Sequence, residues 1–142
     1  MIKVLVPLAK GFEEIEAVSV IDVLRRAEIE VLVASLDGAS LVKGANGITI
    51  QTDFEVKDVS ASQIDMIVLP GGWGGTYLLA DDVNVQNILK EMDEKGKNIG
   101  AICAAPFALN KAGVLKSKYT CYPSVEEEMQ REGYQGDLSM VV

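Results

Sequence analysis

The fold is decided by residues 1–35, which read MIKVLVPLAKGFEEIEAVSVIDVLRRAEIEVLVAS. Ile2–Leu8 and Glu30–Ser35 are short apolar runs, typical of strands that are buried on both faces of a parallel sheet. Glu13–Ala27, between them, has the apolar spacing of a helix. Its buried face is predicted to be formed by Ile15, Val18, Ile21 and Leu24, and to be widened by Ala17 and Val20. The order of strand, helix and strand predicts the start of an α/β fold.

The same alternation continues along the rest of the chain. Two more buried strands are predicted over Asp65–Leu69 and Asn98–Ile102, and an antiparallel ribbon over Leu41–Lys43 and Ile48–Thr52. Three further helices are predicted, from Asp81 or Asp82 to about Lys95, from Ala104 to about Lys111, and over Ser124–Arg131. A short edge segment is predicted at Tyr119-Thr120 and a last strand over Leu138–Val142. The glycine-rich residues 70–75 are predicted to be a loop. We therefore predict one α/β domain over residues 1–142, a three-layer sandwich around a mainly parallel sheet.

The composition excludes several classes of protein. The chain has 142 residues and a net charge of −8, from 13 basic and 21 acidic residues. Such a charge disfavours nucleic acid and anionic membrane surfaces as partners. No apolar run is long enough to span a membrane, and no signal peptide is evident, so a cytoplasmic location is expected. The two cysteines are then expected to be free thiols.

The absence of histidine restricts the chemistry further. It removes Ser–His and Cys–His pairs, zinc sites of the His-Glu-x-x-His type and iron sites that need two histidines. Acid–base chemistry must therefore use Glu, Asp, Cys, Tyr, Lys or water. No metal site and no cofactor are expected.

Three segments reach the carboxyl edge of the predicted sheet, where doubly wound folds bind ligands. They are residues 10–16, 70–75 and 103–106. Cys103 lies between a buried strand and a predicted helix, which resembles the position of the nucleophile in a Gly-x-Ser-x-Gly elbow. The start of that helix is expected to favour a thiolate and to lower the thiol pKa. The alternative is that Cys103 is only a small buried side chain.

Glu16 is the candidate acid–base partner of Cys103. It stands beside the predicted apolar face of the first helix, so burial is expected to raise the pKa of its carboxyl. A protonated Glu16 would donate a hydrogen bond to a thiolate, whereas an ionised one would repel it. Glu13 and Glu14 are predicted instead to be solvated residues of the first helical turn.

Gly71 and Gly72 are candidates for an oxyanion site because their backbone N–H groups have no side chain in the way. A tight turn that needs positive φ explains the same two glycines equally well. The sequence leaves the roles of Trp73 and Cys121 open. Trp73 either walls the pocket or caps the core, and Cys121 is either a resolving thiol or a neutral residue at a strand end.

These segments together resemble a known family. The motifs are AKGFEEIE at residues 9–16, VLPGG at 68–72 and AICAAP at 101–106, and the resemblance extends over essentially the whole chain. On these motifs the chain is similar to the ThiJ/PfpI family, and within it to the branch of the Parkinson-disease protein deglycases. The resemblance implies a flavodoxin-like fold and a homodimer.

The resemblance also implies an activity and the residues that carry it. Cys103 is the reactive cysteine, Glu16 is hydrogen-bonded to it, and the N–H groups of Gly72 and Ala104 form the oxyanion site. The implied activity is a cysteine-dependent glyoxalase or deglycase that acts on small α-oxoaldehydes or on early glycation adducts. The alternative is an oxidative-stress sensor or chaperone that uses the same cysteine without catalysis.

The sequence departs from the family pattern at three places. Tyr122 stands where many relatives have a histidine near the cysteine, and Ala104 stands where the protease-like branch has one, so peptidase activity is disfavoured. Relatives continue beyond Val142, and we expect this chain to lack their C-terminal strand and helix. Gly71, Trp73 and Tyr122 complete the set of candidate pocket residues.

Overall fold

A computed structural model describes residues 1–136 and 140–142. Its strands are β1 (Lys3–Leu8), β2 (Glu30–Ser35), β3 (Leu41–Lys43), β4 (Thr49–Gln51), β5 (Phe54–Glu55), β6 (Met66–Leu69) and β7 (Asn98–Ala101). Its helices are α1 (Glu14–Arg26), α2 (Trp73–Asp81), α3 (Val83–Glu94), α4 (Pro106–Ala112) and α5 (Pro123–Met129). Within the described residues, every helix is too short or too polar to cross a membrane.

Five strands form the central sheet, in the order β5-β2-β1-β6-β7, and every pair in it is parallel. From β1 the chain passes to β2 on one side and later to β6 on the other. The strand order therefore reverses between β1 and β6, and such a switch point opens a crevice at the carboxyl ends of the strands. This arrangement confirms the predicted flavodoxin-like α/β fold.

Apolar clusters cover both faces of this sheet. On one face, Val4, Val6 and Leu8 of β1 pack with Ala17 and Ile21 of α1. On the other face, the apolar stripe of α3 packs with residues of β1, β2, β6 and α4, and the stripe consists of Val85, Ile88, Leu89 and Met92. Alternate side chains of one strand thus pack against helices on opposite faces of the sheet, which gives the predicted three-layer sandwich.

The predicted buried face of α1 is confirmed in part. Ala17 and Ile21 are buried, and Val20 and Leu24 pack against the same cluster. Ile15 and Val18 are instead 76% and 46% exposed, and Glu14 takes a place in the buried row. The helix has apolar residues on two of its faces, so the helical spacing alone does not decide which face meets the sheet. The small side chain of Ala17 marks the face that does, because it lets the helix axis approach β1 closely.

The predicted loop over residues 70–75 is wrong at its end, because helix α2 begins at Trp73 although residues 71–75 contain four glycines. Gly72 has a φ of 89°, which lets the chain turn sharply from Pro70 into the helix. A side chain at Gly75 would come within 2.9 Å of the backbone nitrogen of Phe12, so glycine is required there by packing. Tertiary contact therefore overrides the low helix propensity of glycine. The predicted cap is confirmed at Asp82, whose carboxylate accepts hydrogen bonds from the N–H groups at the start of α3.

The predicted ribbon is confirmed as β3 and β4, an antiparallel pair in which Val42 faces Ile50. Strand β5 was not predicted and pairs with the end of β2. Tyr119, placed in a predicted edge segment, forms a single parallel bridge with Tyr134. The strand predicted over Leu138–Val142 lies partly in residues 137–139, outside the described residues.

Candidate active site

Cys103 lies in the sharp turn between β7 and α4. Its φ of 59° is in the left-handed region, a conformation that costs a residue with a side chain about 1 kcal/mol or more. The turn is fixed on both sides, since the Ile102 N–H donates to the Leu69 carbonyl at 3.3 Å and the Tyr122 N–H donates to the Cys103 carbonyl at 2.8 Å. A strained turn at a strand end presents the side chain outward, as in the elbow that the sequence predicted.

Glu16 reaches the same point from the first turn of α1. Its carboxylate accepts a hydrogen bond from the Gly71 N–H at 2.9 Å and is also hydrogen-bonded to the Cys103 side chain. The start of α1 is held in register with the loop after β6, because the Glu13 N–H donates to the Gly71 carbonyl at 2.9 Å. The Glu13 carboxylate caps the helix by accepting from the Glu16 N–H. Residues from β1–α1, β6–α2 and β7–α4 therefore meet at one crevice.

Gly71 has no space for a side chain. A Cβ atom at this position would lie 2.5 Å from a carboxylate oxygen of Glu16, 2.9 Å from the Cβ of Cys103 and 3.1 Å from the Ala104 nitrogen. Glycine is therefore required because the backbone itself forms one wall between the carboxylate and the thiol. A tight turn alone does not explain this residue.

Both members of the pair hold their protons more firmly than usual. Burial raises the pKa of Glu16 above its ordinary value, although the hydrogen bonds from Gly71 and Cys103 oppose the rise. Burial, followed by the charge of Glu16, raises the pKa of Cys103 to about 11. The expectation of a lowered thiol pKa is wrong, because burial and then the charge and hydrogen bond of Glu16 outweigh the Ala104 N–H, which acts to lower the pKa. The Cys103 thiol and the Glu16 carboxyl group are thus joined by a hydrogen bond in a partly buried site.

The other predicted site residues differ in how they are placed. The Ala104 N–H is hydrogen-bonded to the Cys103 sulfur, and Gly72 is the N-cap of α2. Tyr122 reaches the site through its backbone, whereas its side chain is 55% exposed. Trp73 packs together with the cluster that contains Ala104, and so does Cys121.

Trp73 belongs to an aromatic group that the sequence did not indicate. It stacks on Tyr77 with ring centroids 4.9 Å apart, and both rings meet the edge or face of Phe107 at 5.8 and 5.3 Å. Tyr77 lies one turn further along α2, and Phe107 comes from the first turn of α4. The helical spacing of residues 73 and 77 was the available signal, but it is hidden when the segment is taken for a loop.

Glu14 was predicted to be solvated, and this prediction is wrong because Glu14 is a buried structural residue. It is 4% exposed, and its carboxylate accepts hydrogen bonds from the N–H groups of Asn46 and Ile48 and from the Asn46 side-chain amide. Burial acts to raise the pKa of Glu14, but these backbone donors outweigh it and hold the pKa below its usual value. Glu14 thus ties the β3–β4 loop to α1.

Two cavities lie elsewhere on the molecule. One of about 440 Å³ is lined by residues such as Lys10, Leu36 and Asp81, and one of about 280 Å³ by residues such as Ser35 and Asp53. Neither includes Cys103 or Glu16. Among residues 1–136 and 140–142, no three His, Cys, Asp or Glu side chains come close enough to share a metal ion.

Known proteins resemble this chain over most of its length. Protein dj-1beta of Drosophila melanogaster is 41% identical over 126 residues, which are 88% of this chain and 67% of that protein. The glutathione-independent glyoxalase DJR-1.2 of Caenorhabditis elegans is 38% identical over 86% of this chain and 64% of its own length. A deglycase of Pyrococcus abyssi is 33% identical over 92% of this chain and 78% of its own length.

The solved structures agree with these sequences. The crystal structure of Drosophila melanogaster DJ-1beta has a TM-score of 0.93 and 38% identity to this chain, and the match covers 99% of this chain and 77% of the other. The model of the DJ-1/PfpI family matches residues 2–141. The resemblance to the ThiJ/PfpI family is therefore confirmed, and the chain belongs to the DJ-1/PfpI family.

Proposed function

We propose that the protein is a cysteine-dependent glyoxalase or deglycase that acts on small α-oxoaldehydes, free or as early glycation adducts. The observation that carries this proposal is the contact between the Glu16 carboxylate and the Cys103 thiol. A thiol in contact with a carboxylate is a nucleophile beside its own general base. Relatives named as a glyoxalase and a deglycase support the same class of reaction.

The reaction begins when the Cys103 sulfur bonds to the aldehyde carbon of R–CO–CHO and Glu16 takes the thiol proton. The N–H groups of Gly72 and Ala104 stabilise the resulting oxyanion, which then receives that proton and becomes the hydroxyl of a hemithioacetal. Glu16 is thereby returned to its ionised form. No other acid or base is required for this step.

Glu16 then moves a proton between the two carbons. It removes the hydrogen of the former aldehyde carbon and returns it to the former ketone carbon, while the hydroxyl proton passes from the first oxygen to the second. The first carbon is oxidised, the second is reduced, and the product is a thioester of Cys103. Water cleaves the thioester and releases R–CHOH–COOH and the thiol. The sum is R–CO–CHO plus water, so no external oxidant or cofactor is consumed.

The direct test follows the loss of methylglyoxal and the appearance of lactate. The wild-type protein is expected to consume methylglyoxal and to form lactate, whereas Cys103→Ala is expected to do neither. Cys121→Ala is expected to do both at close to the wild-type rate. The second variant is the matched control, because Cys121 is also half-buried and also has a raised thiol pKa. Lactate formation that survives Cys103→Ala would refute the proposal.

A redox sensor is the alternative, and one observation weighs against it. Peroxide reacts with thiolates, and a thiol pKa of about 11 leaves little thiolate at neutral pH. Both cysteines are free thiols, which fits a reducing cytoplasm. The sensor hypothesis requires that mild peroxide add oxygen to Cys103 well before Cys121, and mass spectrometry of the treated protein measures this order.

We also propose that the protein is a homodimer and that the apolar outer face of α1 forms the interface. Ile15 and Val18 are exposed there, and Ile48 on the β3–β4 loop is 56% exposed. Glu14 joins the two elements by accepting a hydrogen bond from the Ile48 N–H at 3.1 Å. An apolar patch that combines a helix with an anchored loop is typical of a contact surface.

A further inference from the structure

The aromatic group formed by Trp73, Tyr77 and Phe107 lies on the two helices that follow the predicted oxyanion donors. Trp73 directly follows Gly72, and Phe107 lies one helical turn beyond Ala104. The three ring centroids are 4.9 to 5.8 Å apart. Helices α2 and α4 pack against each other here, and Trp73 and Phe107 pack against the cluster that contains Ala104, the residue after Cys103.

The group is only partly buried. Tyr77 is 44% exposed, and Trp73 and Phe107 are half-buried. Core packing between α2 and α4 does not require an open aromatic surface, since smaller apolar residues would seal the same contact without leaving ring area in water. An accessible aromatic surface beside a reactive thiol is a feature that binds a flat apolar group.

From this placement we infer that Trp73 and Tyr77 determine substrate specificity, and that they select α-oxoaldehydes with an aryl substituent over those with a methyl group. The inference rests on the proposed function. When the aldehyde carbon is bonded to Cys103 and its oxygen lies at the Gly72 and Ala104 N–H groups, the substituent on the ketone carbon lies beside the first turns of α2 and α4. A phenyl ring there stacks on the aromatic group, and a methyl group is too small to cover it.

The kinetic test compares phenylglyoxal with methylglyoxal. The ratio of the two kcat/KM values is expected to fall about tenfold in Tyr77→Ala and in Trp73→Ala, the size of effect that a hydrophobic contact gives in substrate discrimination. Tyr77→Ala removes an exposed side chain and leaves Gly72 undisturbed, so it carries the test if Trp73→Ala misfolds. Phe54→Ala is the control, because Phe54 is 43% exposed on β5 at the opposite edge of the sheet. A ratio that is unchanged in Tyr77→Ala, or that falls equally in Phe54→Ala, overturns the inference.

A binding test separates this inference from the proposed reaction. Trp73 is the single tryptophan of the chain, so its fluorescence reports on the aromatic group without any turnover. In Cys103→Ala, mandelate is expected to quench this fluorescence with a Kd about tenfold below that of lactate. If the wild-type protein converts neither aldehyde, the proposed function fails, and the quenching still decides the inference. Mandelate and lactate of equal Kd would overturn it even in an active enzyme.

Discussion

At the scale of single residues, the close approach of the Gly71 backbone to Glu16 and Cys103 sets the geometry of the site. Gly71→Ala is expected to reduce turnover of methylglyoxal about a hundredfold, because the new methyl group displaces Glu16 or Cys103 by roughly 1 Å. Gly74→Ala is the matched control. Its methyl group meets only atoms 3.7 Å away, and alanine stabilises a helix by about 0.5–1 kcal/mol relative to glycine. Equal activity of the two variants, measured on folded protein, would contradict this account of Gly71.

The meeting of Glu16, Gly71 and Cys103 was predictable from the sequence, but the direction of the Cys103 pKa shift was not. Glu16, Gly71 and Cys103 follow the ends of three strands that the sequence shows to be buried, and parallel strands bring such ends together. The pKa of Cys103 depends instead on whether a charged carboxylate touches the sulfur. Contact between Glu16 and Cys103, 87 positions apart by their numbering, is a property of the folded chain.

At the scale of elements, Glu14 is expected to control the stability of the β3–β4 loop. Its pKa is lowered in the folded protein, so its contribution is present above the unfolded value of 4.5 and is lost as the pH falls through the folded value. Glu14→Gln should therefore lower the melting temperature at neutral pH and reduce the acid sensitivity of the loop. The loop is followed by hydrogen exchange at Asn46 and Ile48.

The control for this prediction is Glu127→Gln, which changes an exposed residue of α5. It should leave both the melting temperature and the exchange of the loop as in the wild type. If Glu14→Gln behaves in the same way as Glu127→Gln, the carboxylate of Glu14 does not hold the loop.

The elements differ in how far their sequences specify them. Strands β1 and β2 were predictable because each is a continuous apolar run, and α3 was predictable because one cap and one apolar stripe agree. The burial of Glu14 on α1 and the existence of α2 were not. In both cases the deciding contact comes from a distant part of the chain, Asn46 for Glu14 and Phe12 for Gly75. Local patterns carry no record of such contacts.

At the scale of the whole molecule, self-association is expected to depend on the outer face of α1. Ile15→Glu places a charge in the centre of the proposed interface, where a buried unpaired charge is costly. The variant should be a folded monomer when the wild-type protein is a dimer, as measured by sedimentation or light scattering with circular dichroism. Val83→Glu, at a 64% exposed position on α3, is expected to stay dimeric. A dimeric Ile15→Glu protein would place the interface elsewhere.

The pairing of Glu16 with Cys103 is tested most directly by the pH dependence of Cys103 alkylation by iodoacetamide, followed by mass spectrometry in the wild type and in Glu16→Gln. The Cys103 pKa is expected to be about 11 in the wild type, raised by burial and then by the charge of Glu16. Removal of that charge should lower the Cys103 pKa by roughly 1 to 3 pH units and accelerate alkylation at neutral pH. A pKa that stays the same or rises in Glu16→Gln would contradict the claim that a charged carboxylate and the Cys103 thiol form one chemical unit.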